Sequence, residues 1–141
     1  MTILVIDGQG GKLGRSLIES IKKAVPRVDI MAVGTNSMAS NNMQRGGADR
    51  VATGENAVKV ACGSADIIAG PLGIAVAGAL LGEISAEMAT AVSLSNACRI
   101  LLPMNLHNTY IAGVGQSSAV IMEDALAHVR QLVEKAEKTD K

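Results

Sequence analysis

The sequence predicts an α/β protein in which a mainly parallel, doubly wound sheet of about six strands forms the middle of three layers. Three observations predict this Rossmann-like class. Residues 2–6 form a continuous apolar run, as in a strand that is buried on both faces. A glycine-rich turn and an amphipathic helix follow it directly. Short apolar runs then alternate with helical patterns along the chain, which is typical of parallel sheets with right-handed crossovers.

The remaining elements follow from local patterns. In the first helix, Leu13, Leu17 and Ile21 recur four residues apart, and Pro26 then stops the helix. Ser85 is a good N-cap for a later helix. Strands are predicted at 2–6, 29–34, 48–52, 65–70, 99–102 and 109–114, and helices at 12–24, 37–45, 55–62, 72–81, after Ser85, and at 118–135. The expected strand order is 3-2-1-4-5-6.

The length predicts a single Rossmann-like domain over residues 1–136, followed by a polar tail at 137–141. Segment 72–81 is rich in alanine and glycine and is apolar all round, so a helix there must be covered on most sides. With Met88 it could form either core or the surface of a homodimer. A homodimer is expected because the domain is small and rich in apolar residues.

The composition argues against several functional classes. The 13 basic and 13 acidic residues cancel, and Tyr110 is the only aromatic residue, so we expect no nucleic acid as a partner. Cys62 and Cys98 lack a CxxC spacing and are expected to be free thiols. His107 and His128 lie well apart, so no metal site is expected. Without a signal peptide or a membrane-spanning run, a cytoplasmic location is expected.

The turn after the first strand is the main candidate site, and glycine recurs in it at positions 8, 11 and 14. A sharp strand-to-helix turn needs residues that tolerate positive φ. The N–H groups of the following helix and its dipole favour an anion, which can approach only where no Cβ intrudes. This pattern predicts a site for a phosphate-bearing ligand, although a tight turn without a ligand is the alternative. The candidate residues are Gly8, Gln9, Gly10, Gly11, Lys12, Leu13 and Gly14.

The nucleotide that this turn would hold is left open. NAD sites usually have an acid at the end of the second strand that binds the ribose 2′-hydroxyl. Here that position carries Thr35 and Asn36, which are neutral but could bond a ribose or a phosphate. NAD(P) or another nucleotide therefore remains the cofactor hypothesis.

Further candidates lie at the ends of other predicted strands. Gly70 and Pro71 follow the fourth strand and could approach the second half of a dinucleotide, although a plain turn explains them equally well. Four polar residues are candidates for substrate contacts: Glu55, Asn56, Asn105 and His107. Catalytic residues stay unknown, because a Tyr-x-x-x-Lys pair and a G-x-S-x-G elbow are both absent.

Several of these stretches also carry a family resemblance. Ile6–Gly11, Gly34-Thr35-Asn36, Thr53-Gly54-Glu55-Asn56, Gly70–Ile74, Leu81-Gly82-Glu83-Ile84 and Ile100–Pro103 resemble a family of short bacterial proteins catalogued as a domain of unknown function. The resemblance implies a complete stand-alone domain. Three functions stay open: a nucleotide-binding protein without catalysis, a small enzyme acting on a phosphorylated metabolite, and a structural or interaction module.

Overall fold

The computed structural model describes residues 1–104 and 106–141, and its centre is a five-stranded parallel sheet in the order β3-β2-β1-β4-β5. The strands are β1 (Thr2–Asp7), β2 (Asp29–Gly34), β3 (Arg50–Thr53), β4 (Ile67–Pro71) and β5 (Cys98–Leu102). The helices are α1 (Lys12–Ala24), α2 (Ser37–Arg45), α3 (Glu55–Cys62), α4 (Ala86–Leu94) and α5 (Ser118–Thr139). The predicted fold class is confirmed, and the five strands have the predicted order.

The core lies on both faces of the central strand β1. Side chains alternate between the faces of a strand, so Ile3 and Val5 face one layer while Leu4 and Ile6 face the other. The first layer contains α1, α2 and α5, and the second contains α3 and α4. Because β1 is covered on both sides, the continuous apolar run in the sequence is explained.

Three sequence predictions about elements are wrong. Residues 109–114 form no strand but an exposed connection, because a turn interrupts them: Gly113 has a positive φ of 85°, and the Val114 N–H donates to the Ile111 carbonyl at 3.3 Å. Segment 72–81 is not a helix of that length: one 3-10 turn at Leu72–Ala75 is followed by turns, since Gly78 adopts positive φ. Helix α5 continues to Thr139, beyond the predicted end at 135 and into the predicted polar tail.

Both cysteines are free, as predicted. Cys62 is buried between α3 and the sheet, and burial raises the pKa of its thiol to about 11. The thiolate, which is the reactive form, is therefore scarce at neutral pH. None of the helices that the structure describes combines the length and apolar character needed to cross a membrane.

Candidate functional site at the turn between β1 and α1

The glycine turn connects the carboxyl end of β1 to the first residue of α1 within residues 8–11. Gln9 and Gly11 adopt left-handed conformations, with φ of 49° and 71°. The Gly11 N–H donates to the Gly8 carbonyl at 2.9 Å and closes the turn. A Cβ on Gly11 would lie 2.7 Å from the Cα of Ala39 in α2, so this glycine is required both by its φ and by the neighbouring backbone.

Asp7 anchors the turn from the end of β1. Its two carboxylate oxygens accept hydrogen bonds from the N–H groups of Gly8 and Gly14, each at 2.8 Å. The side chain is buried, and this burial raises the pKa of the carboxyl above its ordinary value. The N–H groups of Gly14 and Gly8 oppose the rise, and the negative charge of Glu83 adds to it. Because it bonds both Gly8 and Gly14, the Asp7 carboxylate links the start of the turn to the first turn of α1 and fixes the geometry between them.

Helix α2 and its N-cap residue, Asn36, hold the carbonyl side of the turn. Asn36 donates from Nδ2 to the Gln9 carbonyl, and Asn42 donates from Nδ2 to the Gly10 carbonyl, both at 2.9 Å. Because the Gln9 and Gly10 carbonyl groups accept these hydrogen bonds, only the N–H groups of the turn remain available to a ligand. Among the residues that the structure describes, nothing accepts a hydrogen bond from the N–H groups of Gly10, Lys12 and Leu13.

A carboxylate from a distant loop already rests on this turn. Glu83, between β4 and α4, accepts a hydrogen bond from the Gln9 N–H at 2.6 Å and from the Thr35 hydroxyl at 2.8 Å. Asn36 Nδ2 lies 3.3 Å from the other carboxylate oxygen. The same carboxylate fills the space beside Gly8, and a Cβ on Gly8 would therefore collide with Glu83 Oε2. The turn and the end of β2 thus share one acidic group.

Two cavities flank the start of α1. One, of about 360 Å³, is lined by residues 7–13 together with Leu80. The other, of about 510 Å³, lies between the turn and α2; its lining includes Gly10, Lys12 and Arg45. The predicted turn residues 8–13 therefore border open space, whereas Gly14 is buried and a Cβ there would lie 2.6 Å from Met43 Sδ in α2. A larger cavity of about 570 Å³ follows the free edge of β5, where a sixth strand was predicted, and lies away from the turn.

The other predicted site residues do not join this cluster. Gly70 and Pro71 are buried at the end of β4, where the Ile6 carbonyl occupies the space beside Gly70. Glu55 accepts a hydrogen bond at 2.5 Å from Ser85, the N-cap of α4. Asn56 is exposed on the first turn of α3.

His107 and Asn105 were predicted to lie beside the cleft. His107 is exposed and lines a separate cavity of about 260 Å³ with Leu81 and Leu106. Asn105 lies outside the described residues. Within residues 1–104 and 106–141, no group of three or more His, Cys, Asp or Glu side chains is arranged to hold a metal ion.

Sequence reasoning missed two acidic residues of the site. Asp7 is not among the predicted site residues, although an acid directly before a glycine turn is a signal that could have been used. Glu83 carries no local signal, because its partners Gln9, Thr35 and Asn36 are far away in the sequence. Only the folded chain brings its carboxylate to the turn.

The fold is similar to that of a dodecameric, FMN-dependent Ubix-like decarboxylase from Escherichia coli O157:H7. The TM-score is 0.45 and the sequence identity 15%, over 95% of this chain and 94% of that one. The flavin, the reaction and the dodecamer are features of that protein, and a likeness of this extent supports no transfer to this chain. No curated protein matches the sequence significantly.

The family resemblance drawn from the sequence is confirmed over nearly the full length. A family model described as Domain of unknown function (DUF3842) matches residues 2–138, so the chain belongs to this family.

Proposed function

We propose that the turn between β1 and α1 binds the phosphate group of a nucleotide, NAD(P) among the candidates, or of another phosphate-bearing metabolite. The observation that carries this proposal is the set of N–H groups on Gly10, Lys12 and Leu13, which have no acceptor among the described residues and border a cavity of about 360 Å³. Helix N-termini favour anions because their free N–H groups and dipole point toward the ligand.

The contact made by Glu83 supports the same proposal. Its carboxylate oxygen lies 2.6 Å from the Gln9 N–H, so an oxyanion already uses one amide of the turn. Lys12 is exposed at the start of α1 and borders both cavities beside the turn. A phosphate on the Lys12 side of the turn would gain this positive charge while it stays away from the carboxylate of Glu83.

A matched pair of glycine variants tests the proposal. A Cβ on Gly10 meets no atom within 4 Å, and the same is true of Gly115, which lies far along the chain. Neither glycine has the positive φ that would strain a larger residue. Gly10→Val should therefore leave the fold intact but obstruct ligand approach, while Gly115→Val serves as the control.

Thermal unfolding with pyrophosphate, ADP and NAD(P) at millimolar concentration is the measurement. We expect at least one probe to raise the Tm of the unmodified protein and of Gly115→Val, because binding to the native state adds stability. Gly10→Val should keep its ligand-free Tm and lose most of the shift. The proposal is overturned if no probe raises the Tm, or if Gly10→Val retains the full shift.

A small enzyme acting on a phosphorylated metabolite is the alternative to a binding protein. It would require Glu55 and His107 to converge on one ligand. Glu55 bonds Ser85, and His107 lines the cavity beside Leu81. Binding at the glycine turn is therefore the function that we propose first.

A homodimer is a second proposal, in which this chain would serve as an interaction module. Leu81 is 81% exposed and Val76 46% exposed on the same segment, while Met88 is buried in the core. Exposed apolar residues that lie close together favour a protein contact. Light scattering should give the mass of a dimer at micromolar concentration and of a monomer for Leu81→Ser. A monomeric unmodified protein would overturn the proposal.

A further inference from the structure

Glu83 lies where nucleotide-binding sheets usually place an acid. In dinucleotide-binding folds, an Asp or Glu at the end of the second strand binds the ribose hydroxyls. The end of β2 is neutral here, because Gly34 is followed by Thr35 and Asn36. The loop before α4 nevertheless brings the Glu83 carboxylate to this strand end, 2.8 Å from the Thr35 hydroxyl and 3.3 Å from Asn36 Nδ2.

The partners of this carboxylate are all neutral. Gln9 donates a backbone N–H, Thr35 a hydroxyl, and Asn36 an amide group. None of the four salt bridges in the described part of the chain includes Glu83. A carboxylate has about four acceptor positions. Glu83 Oε1 is approached only by Asn36 at 3.3 Å within the described residues, so this oxygen has acceptor capacity left.

The turn offers a hydrogen-bond acceptor on one side, the Glu83 carboxylate, and backbone N–H donors on the other. The Gln9 N–H is occupied by the carboxylate, whereas the Gly10, Lys12 and Leu13 N–H groups have no acceptor in the described chain. The carboxylate accepts hydrogen bonds and therefore matches a hydroxyl-bearing group, whereas the N–H groups at the helix start donate hydrogen bonds and therefore match a phosphate. A ribose 5′-phosphate presents both groups in one molecule.

We propose that Glu83 accepts the hydroxyl groups of a ribose-type diol and makes the site selective for ribonucleotides. The inference rests on the proposed phosphate site at the turn between β1 and α1. In this arrangement a loop residue after β4 performs the role that an acid at the end of β2 performs elsewhere. A 2′-phosphate would be disfavoured, because it would bring negative charge to an acidic residue.

The test compares pyrophosphate, ADP and 2′-deoxy-ADP on three forms of the full chain: unmodified, Glu83→Gln and Glu87→Gln. Glu87 is an exposed residue of α4 that pairs with Lys59, and it serves as the control for the loss of one carboxylate. Titration calorimetry gives a Kd for each probe. The decisive quantity is the ratio of the Kd of 2′-deoxy-ADP to that of ADP, because a general loss of stability affects both probes alike.

In the unmodified protein and in Glu87→Gln, we expect ADP to bind about 10- to 100-fold more tightly than 2′-deoxy-ADP, as for a hydrogen bond to a charged group. In Glu83→Gln the ratio should fall below about 3-fold, since an amide oxygen without charge is a weaker acceptor. Pyrophosphate should bind Glu83→Gln at least as tightly as the unmodified protein, because a nearby negative charge has been removed.

The outcomes separate the two proposals. If all three probes bind and the ratio is the same in Glu83→Gln and the unmodified protein, the diol inference is wrong while the phosphate site stands. If Glu83→Gln tightens all three probes equally, Glu83 competes with the ligand instead of binding its diol, and the inference is again overturned. If no probe binds the unmodified protein, both the phosphate site and the inference fail.

Discussion

Two of the connections that lead from the carboxyl edge of the sheet into a helix are built in different ways. The connection from β1 to α1 (residues 8–11) is short, and contacts from Asp7, Asn36, Asn42 and Glu83 hold it. The connection from β5 to α5 (residues 103–117) is long, and its described residues, 103–104 and 106–117, are mostly exposed. The side-chain hydrogen bonds described within it are local, such as Thr109 Oγ1 to the His107 carbonyl at 3.1 Å.

This difference explains which predicted site residues converge. Around the first connection, side chains from the segment between β2 and α2, from α2 and from the loop before α4 meet one turn. Asn36 bonds the Gln9 carbonyl, and Thr35 and Gln9 bond the same carboxylate of Glu83, as a shared site requires. Around the second connection, His107 contacts no comparable network in the described chain. A strand-end position in the sequence therefore indicates a site only where distant elements fix the loop.

The largest expected effect compares one glycine from each connection. Gly11 and Gly113 both have positive φ, at 71° and 85°. A Cβ on Gly11 would lie 2.7 Å from the Ala39 backbone, whereas a Cβ on Gly113 meets nothing within 4 Å. We expect Gly11→Ala to lower the free energy of unfolding by about 2–5 kcal/mol, from backbone strain and overpacking together, and Gly113→Ala by about 1–2 kcal/mol from strain alone.

Urea denaturation of both variants measures this difference. Equal losses would mean that α2 moves away at little cost, and the contrast between a fixed and an open connection would then be wrong. A larger loss for Gly11→Ala would support it.

The second comparison concerns one acid from an element that flanks each connection, Asp7 at the end of β1 and Asp124 in α5. Asp7 is buried and accepts two backbone N–H bonds at 2.8 Å, while Asp124 on α5 is exposed. In Asp7→Asn an amide NH₂ replaces one acceptor and faces a backbone donor, so we expect a loss of about 1–3 kcal/mol of unfolding free energy at neutral pH. Asp124→Asn should change it by less than about 0.5 kcal/mol.

Chemical denaturation at pH 7 gives both values. Hydrogen exchange adds a local measurement, because the Gly8 and Gly14 amides should lose protection in Asp7→Asn. Unchanged protection there would show that other contacts hold the turn without Asp7.

Most of the fold could be predicted from the sequence, because in most elements the spacing of apolar residues matches the face that is buried in the structure. Helices 12–24, 37–45 and 55–62 and the second strand have the predicted bounds, since their apolar spacing matches the layer that covers them. The prediction of a sixth strand at 109–114 is wrong although the edge of β5 is free, because a turn with Gly113 at positive φ interrupts the segment and its apolar composition does not reveal this turn.

The site was predictable only in part. The glycine turn follows from the conformations that a strand-to-helix turn requires, and Gly11 has the positive φ that this argument needs. The acidic partner was not predictable, because Glu83 reaches Gln9 across 74 positions of sequence. The loop that carries it contains Leu80 and Leu81 in left-handed conformations, which the apolar pattern of 72–81 did not suggest.

The smallest expected effect is the pH dependence of the Asp7 contribution. Burial raises the folded-state pKa of Asp7 above its ordinary value of 3.8, and the charge of Glu83 adds to this rise. The folded protein therefore holds the Asp7 proton more tightly than the unfolded chain does. As pH rises from the unfolded-state pKa to the folded-state pKa, the contribution of this group to the free energy of unfolding is lost. The amide that replaces the carboxyl in Asp7→Asn does not titrate, so the variant lacks this contribution.

The loss of unfolding free energy in Asp7→Asn should accordingly be largest near pH 4, shrink as pH rises through the folded pKa, and then stay constant. Urea denaturation of both proteins between pH 4 and pH 8 measures this change. In a Glu83→Gln background the change should be smaller, because one of the causes of the raised pKa is gone. A loss that grows with pH would mean that the two N–H bonds from Gly8 and Gly14 outweigh burial. The turn would then stabilise the charged form of Asp7, as it is proposed to stabilise a phosphate.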